Sequence, residues 1–330
     1  MQADIALAAT HERSTIAEPV EVRRRLRAAL GPWPPPAPLD PVVLCREDGG
    51  AYWRELVEYC VEPGERIRAY LLIPKTLRGP VPAVFCHHQN NNEYALGKSE
   101  VAGLRGDPEQ AYGHELASLG YVCLVPDALG FEDRALPGWD GLRQHIFHLG
   151  ARLIQGQTLL AKQLSDIQRG IDLLQTRTEV DSESIGILGH SFGGGQAIFA
   201  SALDPRLKVT VDNCGTTSLN IKVEQAIFIG VDHIVPGLLR AGDIGDFIGS
   251  IAPRPFLLSS GSRDQYSTGH ADLFARARQY YVEAGVEHRI AHLIFDHGHT
   301  FAPEMRHAAY EWMRRWLLPE HEDTPAEHQQ

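Results

Sequence analysis

The residues with the clearest chemical signature form the pentapeptide Gly189-His190-Ser191-Phe192-Gly193, which fits the pattern G-x-S-x-G. The apolar run SIGIL precedes it, and a helix-forming stretch begins at Phe192. A strand, a tight turn and a helix in this order expose a serine as a nucleophile, and small flanking residues relieve the crowding of the turn. We therefore predict that Ser191 is a nucleophile beside a helix N-terminus that stabilises negative charge.

A serine hydroxyl needs a base within hydrogen-bond reach and a carboxylate that orients this base. In folds with such a turn the acid follows the serine and the histidine comes last. Asp264 follows the apolar run PFLLSSG and is the predicted acid, with Asp212 after LKVTV as the alternative. His299 is the predicted base because Gly298 permits a sharp turn before it, and His297 is the alternative.

Acyl transfer also needs N–H donors where negative charge develops on the substrate oxygen. The backbone N–H of Phe192 is one expected donor, because it directly follows the nucleophile. The other should come from the loop after the run PAVFCH, which reads His88-Gln89-Asn90, and we predict the Gln89 N–H. The side chains of His88 and Asn90 are predicted substrate contacts at the mouth of the site.

Sixteen histidines raise the alternative of a metal site, with His87-His88 and the pair His297 and His299 as candidate ligands. The sequence contains no HExxH and no cysteine pair at ligand spacing. It also contains no P-loop and no G-x-G-x-x-G after the first predicted parallel strand. We therefore predict no metal and no nucleotide cofactor.

The elements that must position these residues follow from the apolar pattern. Two alternating runs between residues 52 and 74 flank Glu62-Pro63-Gly64-Glu65, which predicts an antiparallel hairpin. Short apolar runs then alternate with helical stretches, which is typical of a parallel sheet. The predicted strands are 82–87, 121–125, 184–190, 207–211, 255–261 and 288–295, and the predicted helices are 108–119, 143–178, 192–203, 268–284 and 303–317. The expected class is α/β, with a mostly parallel central sheet, antiparallel N-terminal strands and flanking helices.

Composition divides the chain into unequal parts. Residues 1–45 are expected to hold a helix and a proline-rich connector, followed by the main domain at 46–320 and a polar tail at 321–330. Residues 215–252 fit no strand or helix pattern and are interpreted as an insertion that forms a partial lid. The N-terminal helix is expected to cover the site, to pair with a second subunit or simply to expose its basic cluster to solvent, and a homodimer is a further expectation.

The overall composition excludes several classes of partner. Lys plus Arg is 31 and Asp plus Glu is 42, and the net charge of −11 disfavours nucleic acid. No apolar run is long enough to span a membrane, and the first residues lack the layout of a secretory signal. We expect a cytoplasmic protein with reduced cysteines that acts on a small-molecule substrate.

With these residues placed, the chain resembles the α/β-hydrolase superfamily, and within it the serine hydrolases grouped with dienelactone hydrolases and acetyl xylan esterase-like proteins. The resemblance covers roughly residues 50–318 and includes GHSFGGG, YVCLVPDALGFEDR, IAPRPFLLSSGSRDQ and DHGHTF. It implies a Ser191, Asp264 and His299 triad, no cofactor, and an acyl-enzyme intermediate. Dienelactone hydrolases proper carry Cys at the position of Ser191, and many relatives have His-Gly where this chain has His88-Gln89.

The sequence thus predicts hydrolysis of a carboxylic ester. The same triad would also serve for an amide, a thioester or a carbon–carbon bond, because triad geometry does not fix the bond that is cleaved. Two alternatives of other kinds are a ligand-binding homologue without catalysis and a metal-assisted hydrolase.

Overall fold

The computed structural model describes residues 16–90 and 92–318 of the chain. The strands in this part are β1 (Val42–Asp48), β2 (Tyr52–Glu62), β3 (Glu65–Pro74), β4 (Val81–His87), β5 (Val122–Pro126), β6 (Val180–His190), β7 (Leu207–Asn213), β8 (Phe256–Gly261) and β9 (Ile290–Phe295). The α-helices are α1 (Pro19–Leu30), α2 (Lys98–Val101), α3 (Tyr112–Ser118), α4 (Gly141–Ile154), α5 (Leu159–Gln175), α6 (Phe192–Leu203), α7 (Leu219–Glu224), α8 (Leu238–Ala241), α9 (Ile244–Gly249), α10 (His270–Glu283) and α11 (Pro303–Leu317).

All of these strands belong to one sheet, in the order β1-β2-β3-β5-β4-β6-β7-β8-β9. The first three strands and the β3–β5 pair are antiparallel, and every pair from β5 to β9 is parallel. The predicted fold class, an α/β fold with antiparallel N-terminal strands, is confirmed. Because parallel strands end at one edge, the loops after β4, β6, β8 and β9 are brought together there.

Side chains alternate between two apolar cores on opposite faces of the sheet. On β4, for example, Ala83 and Phe85 belong to one core, and Val84 and Cys86 to the other. Helices α1, α5, α6, α9 and α10 cover the first face, whereas α3 and α11 cover the second. A central strand that is buried on both faces is therefore apolar throughout, which is why the sequence identified it.

The structure differs from the sequence prediction in several places. Residues 215–252, which fitted no helix pattern, contain α7, α8 and α9. The single helix predicted at 143–178 is two helices, α4 and α5, separated at Gly156, whose φ of +73° a helix does not allow. The sequence also gave no sign of β1, because this strand lies at the edge of the sheet and all its residues are exposed. The expected domain boundary at residue 45 falls inside β1.

The N-terminal helix packs against the main domain. Val22, Leu26 and Leu30 of α1 are buried in the first core, and the Arg23 side chain donates to the Ser250 carbonyl at 2.5 Å. The predicted tail at 321–330 lies outside the described residues, as do residues 1–15. Among the described helices, none has the length and apolar character required to cross a bilayer.

Candidate active site

The turn between β6 and α6 holds Ser191 in a backbone conformation that few non-glycine residues adopt. Its φ is 55° and its ψ is −120°, a strained combination that is typical of functional positions. A Cβ at Gly189 would lie 2.2 Å from the Gly193 carbonyl carbon, and one at Gly193 would lie 2.1 Å from the His87 carbonyl oxygen. Gly189 is therefore required for the tight turn itself and Gly193 for the close approach of α6 to β4, and together they present the Ser191 hydroxyl at the sheet edge.

This close approach predicts a large effect for Gly193→Ala. The new methyl group would meet backbone atoms of His87 and His88 that cannot rotate away, so we expect a loss of about 3 kcal/mol or more in the free energy of unfolding. Gly150→Ala on α4 is the matched control, because a Cβ there meets no atom within 4 Å. In urea unfolding this control should be stabilised by roughly 0.5–1 kcal/mol, and equal stability of the two variants would contradict the prediction.

The structure brings Ser191, His299 and Asp264 together in one hydrogen-bonded chain. His299 Nε2 lies 2.7 Å from Ser191 Oγ, and His299 Nδ1 lies 3.0 Å from Asp264 Oδ2. With Nδ1 protonated, the imidazole donates to Asp264 and accepts the hydrogen bond of the serine hydroxyl. The arrangement can therefore withdraw a proton from Ser191 Oγ, although these residues are separated by up to 108 positions along the chain.

Asp264 is buried yet remains charged. Burial alone would raise the pKa of its carboxyl, but the hydrogen bonds from His299, the Tyr266 N–H and the Ser267 hydroxyl hold the pKa below its usual value. The carboxylate is thus fixed in place by three donors. A charged and fixed carboxylate orients the imidazole and stabilises its protonated form.

The two loops that carry Asp264 and His299 are joined by backbone hydrogen bonds. Ser262 N donates to the Phe295 carbonyl at 2.8 Å, and Arg263 N donates to the His297 carbonyl at 2.9 Å. On the other side, Asn213 Nδ2 donates to the Thr300 carbonyl at 3.0 Å. These contacts hold the histidine loop between the ends of β7 and β8, so the imidazole reaches Ser191 without a long flexible segment.

The alternative residues from the sequence lie elsewhere in the hydrogen-bond network. Asp212 is fully buried against Gly194 and Gly215, and the described structure shows no hydrogen bond between it and His299, which bonds to Asp264 instead. Burial raises the pKa of Asp212 to about 8, which favours the protonated carboxyl near neutral pH. His297 contacts Glu304 through Nε2 instead of Ser191.

The loop after β4 lies directly beside the start of α6, as the contacts of Gly193 with His87 and His88 require. The Gln89 N–H has no acceptor among the described residues, and its side chain donates to Glu100 Oε2 at 3.1 Å. Phe192 is the first residue of α6, where N–H groups have no partner within the helix. The two predicted oxyanion donors thus belong to adjacent segments.

The two predicted substrate contacts differ in their surroundings. Asn90 lines the cavity in front of Ser191. His88 does not: it is fully buried, its Nδ1–H donates to the Gln89 carbonyl at 2.7 Å, and its Nε2 accepts from the Ala128 N–H at 3.0 Å. Burial lowers the pKa of His88 to about 4. A neutral ring with both nitrogens bonded holds the Gln89 loop and has no free atom for a substrate.

The histidine pairs considered as metal ligands do not converge in the described structure. His87 Nδ1 lies 3.1 Å from the His88 carbonyl oxygen, and burial lowers the pKa of His87 to about 3. His297 and His299 bond to different partners, Glu304 and the pair of Ser191 and Asp264. Among the described residues, the acidic cluster of Asp127, Glu132 and Asp133 surrounds the Lys98 ammonium.

A cavity of about 340 Å³ lies against Ser191, Phe192 and His299. Its volume suits a small organic molecule. The predicted insertion 215–252 supplies one wall and helices α4 and α5 supply another, which the sequence could not position. The remaining residues around it are Asn90, Asn92, Tyr94, Leu142, His145, Gln163, Gly215, Lys222, Phe228, Gly230, Val231, Asp232, His233 and Tyr266.

Sequence reasoning missed most of the residues in this wall. Gln163, Lys222 and His233 are polar residues in stretches with no motif, so only their burial identifies them. One signal was present: residues 215–252 fitted no strand or helix pattern, and segments of this kind often carry binding residues.

A strained serine at a strand-to-helix turn, on a mostly parallel sheet, defines the α/β-hydrolase fold. Residues 67–235 match the model of the Dienelactone hydrolase family. The chain belongs to this family, and the resemblance predicted from the sequence is confirmed.

Known proteins support this assignment. "Putative hydrolase YtaP" of Bacillus subtilis is 29% identical over 302 residues, which cover 90% of this chain and 99% of the relative. A putative acetyl xylan esterase from Bacteroides fragilis has a similar structure, with a TM-score of 0.71 at 18% identity over 84% of this chain and 74% of that protein. A glucuronoyl esterase from Solibacter usitatus has a TM-score of 0.62 at 17% identity, and the match covers 88% of this chain and 91% of that protein. The structural matches establish the shared fold.

Proposed function

We propose that this protein is a serine hydrolase that cleaves a carboxylic ester through an acyl-enzyme intermediate. The observation that carries the proposal is the chain of two hydrogen bonds, 2.7 Å and 3.0 Å long, from Ser191 through His299 to Asp264 beside the cavity. The nucleophile, base and acid each follow a different strand, and all three side chains meet at one edge of the sheet. The similarity to proteins described as esterases favours an ester as the substrate.

The proposed reaction uses side chains of this chain for every proton transfer. Ser191 Oγ attacks the ester carbonyl carbon while His299 Nε2 takes the hydroxyl proton, and Asp264 stabilises the resulting imidazolium. The N–H groups of Phe192 and Gln89 hold the oxyanion of the tetrahedral intermediate. When this intermediate collapses, His299 gives its proton to the leaving alcohol, and Ser191 keeps the acyl group.

The second half of the reaction repeats these steps with water. His299 Nε2 takes a proton from a water molecule that attacks the acyl carbon, and the second tetrahedral intermediate releases the carboxylic acid. The proton on His299 then returns to Ser191 Oγ. The free enzyme is restored and no further reactant is required.

Covalent labelling tests this proposal directly. A fluorophosphonate probe should modify the folded protein once, and the adduct should map by mass spectrometry to the peptide that contains Ser191. Ser191→Ala is the control, and we expect it to be unlabelled while its circular dichroism spectrum is unchanged. A folded wild-type protein that does not react, or that reacts at another residue, would contradict the proposal and favour a binding protein.

Matched substrates separate the kinds of bond. We expect turnover of p-nitrophenyl acetate or butyrate at least 100-fold faster than that of the corresponding p-nitroanilides. Thioesters of the same acyl groups serve as the third arm. Labelling of Ser191 with preferred cleavage of the anilide or the thioester would retain the nucleophile but replace the ester assignment.

A further inference from the structure

Lys222 differs from every other lysine of this protein. The chain has five lysines, and all of them lie in the described part of the structure. Four form ion pairs, and the two of these that are buried, Lys98 and Lys162, each contact three carboxylates. Lys222 is equally buried, with 4% of its surface exposed, yet it forms no ion pair and no hydrogen bond with any described residue.

A buried ammonium group without a partner is costly. Removal of a charge from water destabilises the folded protein unless ion pairs or hydrogen bonds compensate for the loss. At Lys98 and Lys162 the protein supplies that compensation itself. At Lys222 it does not, and this side chain lines the cavity in front of Ser191. Lys222 Nζ is not among the fully buried polar atoms, so it reaches the cavity, where a bound ligand can serve as its partner.

The neighbours of Lys222 present further hydrogen-bond donors to the same space. The side-chain oxygen of Gln163, Oε1, accepts a hydrogen bond from Gln196 Nε2 at 3.2 Å. The side-chain NH₂ group of Gln163 therefore remains for the cavity. Both ring nitrogens of His233 are buried without a hydrogen-bond partner in the described structure. Burial lowers the pKa of His233, so the ring is neutral and offers one N–H and one acceptor.

Asp232 is the acidic group of this wall. Its Oδ2 accepts from Gln196 Nε2 at 3.2 Å and lies 3.5 Å from His233 Nε2, and it makes no ion pair with Lys222. Burial lowers the pKa of Lys222, and the negative charge of Asp232 partly opposes this shift. The wall thus holds a lysine whose acidic neighbour Asp232 is already hydrogen-bonded to Gln196.

We propose that Lys222 binds a carboxylate group carried by the ester substrate and thereby selects acidic esters over neutral ones. This inference rests on the proposed ester hydrolysis and adds the class of substrate. One unpaired ammonium matches the single negative charge of a carboxylate, whereas a phosphate monoester would bring nearly two negative charges beside Asp232. The amide of Gln163 and the ring of His233 supply donors for the second carboxylate oxygen.

The kinetic test uses esters that differ only in this charge. On the acyl side, p-nitrophenyl hydrogen succinate and glutarate are compared with p-nitrophenyl butyrate and valerate. On the alcohol side, 4-acetoxybenzoate is compared with 4-acetoxybenzamide. On at least one side we expect wild-type kcat/KM to favour the acidic ester at least 10-fold. Lys222→Met should abolish this preference, mainly by raising KM for the acidic esters.

Two further variants control for charge and for general effects. Lys222→Arg should retain part of the preference, because it keeps the positive charge. Lys208→Met removes an exposed lysine that pairs with Glu183, and it should leave the preference unchanged. Equal losses on acidic and neutral esters in Lys222→Met, or a wild-type enzyme without preference, would overturn the inference.

Stability measurements show whether Lys222→Met folds. Because the variant removes a buried charge that has no partner, its Tm should equal or exceed that of the wild type. Lys98→Met and Lys162→Met should instead lower Tm, since each removes a buried cation that contacts three carboxylates. A Tm of Lys222→Met that falls as far as theirs would mean that Lys222 has a structural role and would contradict the inference.

A binding experiment separates this inference from the proposed reaction. By calorimetry, the Ser191→Ala protein should bind glutarate with a Kd at least 10-fold lower than that of the Ser191→Ala/Lys222→Met protein. If this difference is found but the wild type hydrolyses no ester, the ester assignment fails and the carboxylate site stands. If neutral esters are hydrolysed but neither binding nor rate depends on Lys222, the site fails and the hydrolase stands.

Discussion

Replacing His299 with alanine should lower kcat/KM for ester hydrolysis by about 10⁴- to 10⁶-fold, because loss of one member of such a triad removes nearly all of its effect. His299 Nε2 is the atom 2.7 Å from Ser191 Oγ, and no other base lies within hydrogen-bond distance of that oxygen among the described residues. Without the imidazole the hydroxyl stays protonated and attacks poorly. Steady-state hydrolysis of p-nitrophenyl acetate by the wild type and the variant measures the effect.

His297→Ala is the matched control, since it removes the neighbouring histidine of the same loop. The His297 ring contacts Glu304 on α11 and lies on the exposed side of the loop. We expect its kcat/KM to remain within about 3-fold of the wild-type value, because surface substitutions of this kind rarely disturb a buried site. A loss in His297→Ala as large as that in His299→Ala would mean that the base is misassigned.

The second large effect concerns the acid. Asp264→Asn should lower kcat/KM by about 10³- to 10⁴-fold. The carboxylate keeps the proton of the imidazole on Nδ1, and an amide in its place leaves the imidazole in the wrong tautomer. The substitution preserves shape but removes the negative charge that stabilises the imidazolium. Because the carboxylate accepts from His299, Tyr266 and Ser267, an amide at this position would face three donors with only one oxygen. Single-turnover acylation should show the same loss as kcat/KM.

Asp212→Asn tests the other acid that the sequence allowed. Burial raises the pKa of Asp212 to about 8, so near neutral pH its carboxyl is already largely uncharged, and the amide replaces it with little electrostatic change. We expect kcat/KM within about 10-fold of the wild type at pH 7, since no hydrogen bond to His299 is lost. If Asp212→Asn loses more activity than Asp264→Asn, the roles of the two aspartates must be exchanged.

The link between the fold and the proposed chemistry is the edge of the sheet. Ser191, Asp264 and His299 follow β6, β8 and β9, and the Gln89 loop follows β4. Every group assigned to the reaction is therefore placed by the end of a strand, and the strands hold their positions through two apolar cores. The cavity wall around Lys222 comes mostly from the connection between β7 and β8, so the proposed chemistry and the proposed selectivity depend largely on different segments.

The sequence by itself determined the local features. G-x-S-x-G after SIGIL predicted the nucleophile turn, because only small residues fit there, and the apolar runs predicted the central strands, because burial on both faces excludes polar residues. Local pattern also led to Asp264 and His299 as first choices. It did not reveal β1, which is exposed at the edge, nor the break between α4 and α5 at a single glycine.

The tertiary structure alone decided which candidates meet. Asp212 is in β7 and Asp264 follows β8, so the sequence pattern does not show which carboxylate faces the imidazole. The distance of 3.0 Å between His299 Nδ1 and Asp264 Oδ2 identifies Asp264. The sequence predicted His88 as a substrate contact at the mouth of the site, but folding buries it and uses both ring nitrogens. Lys222 carries no motif, and its significance depends on the absence of a described partner, because the cost of an unpaired charge arises only once the chain around it has folded.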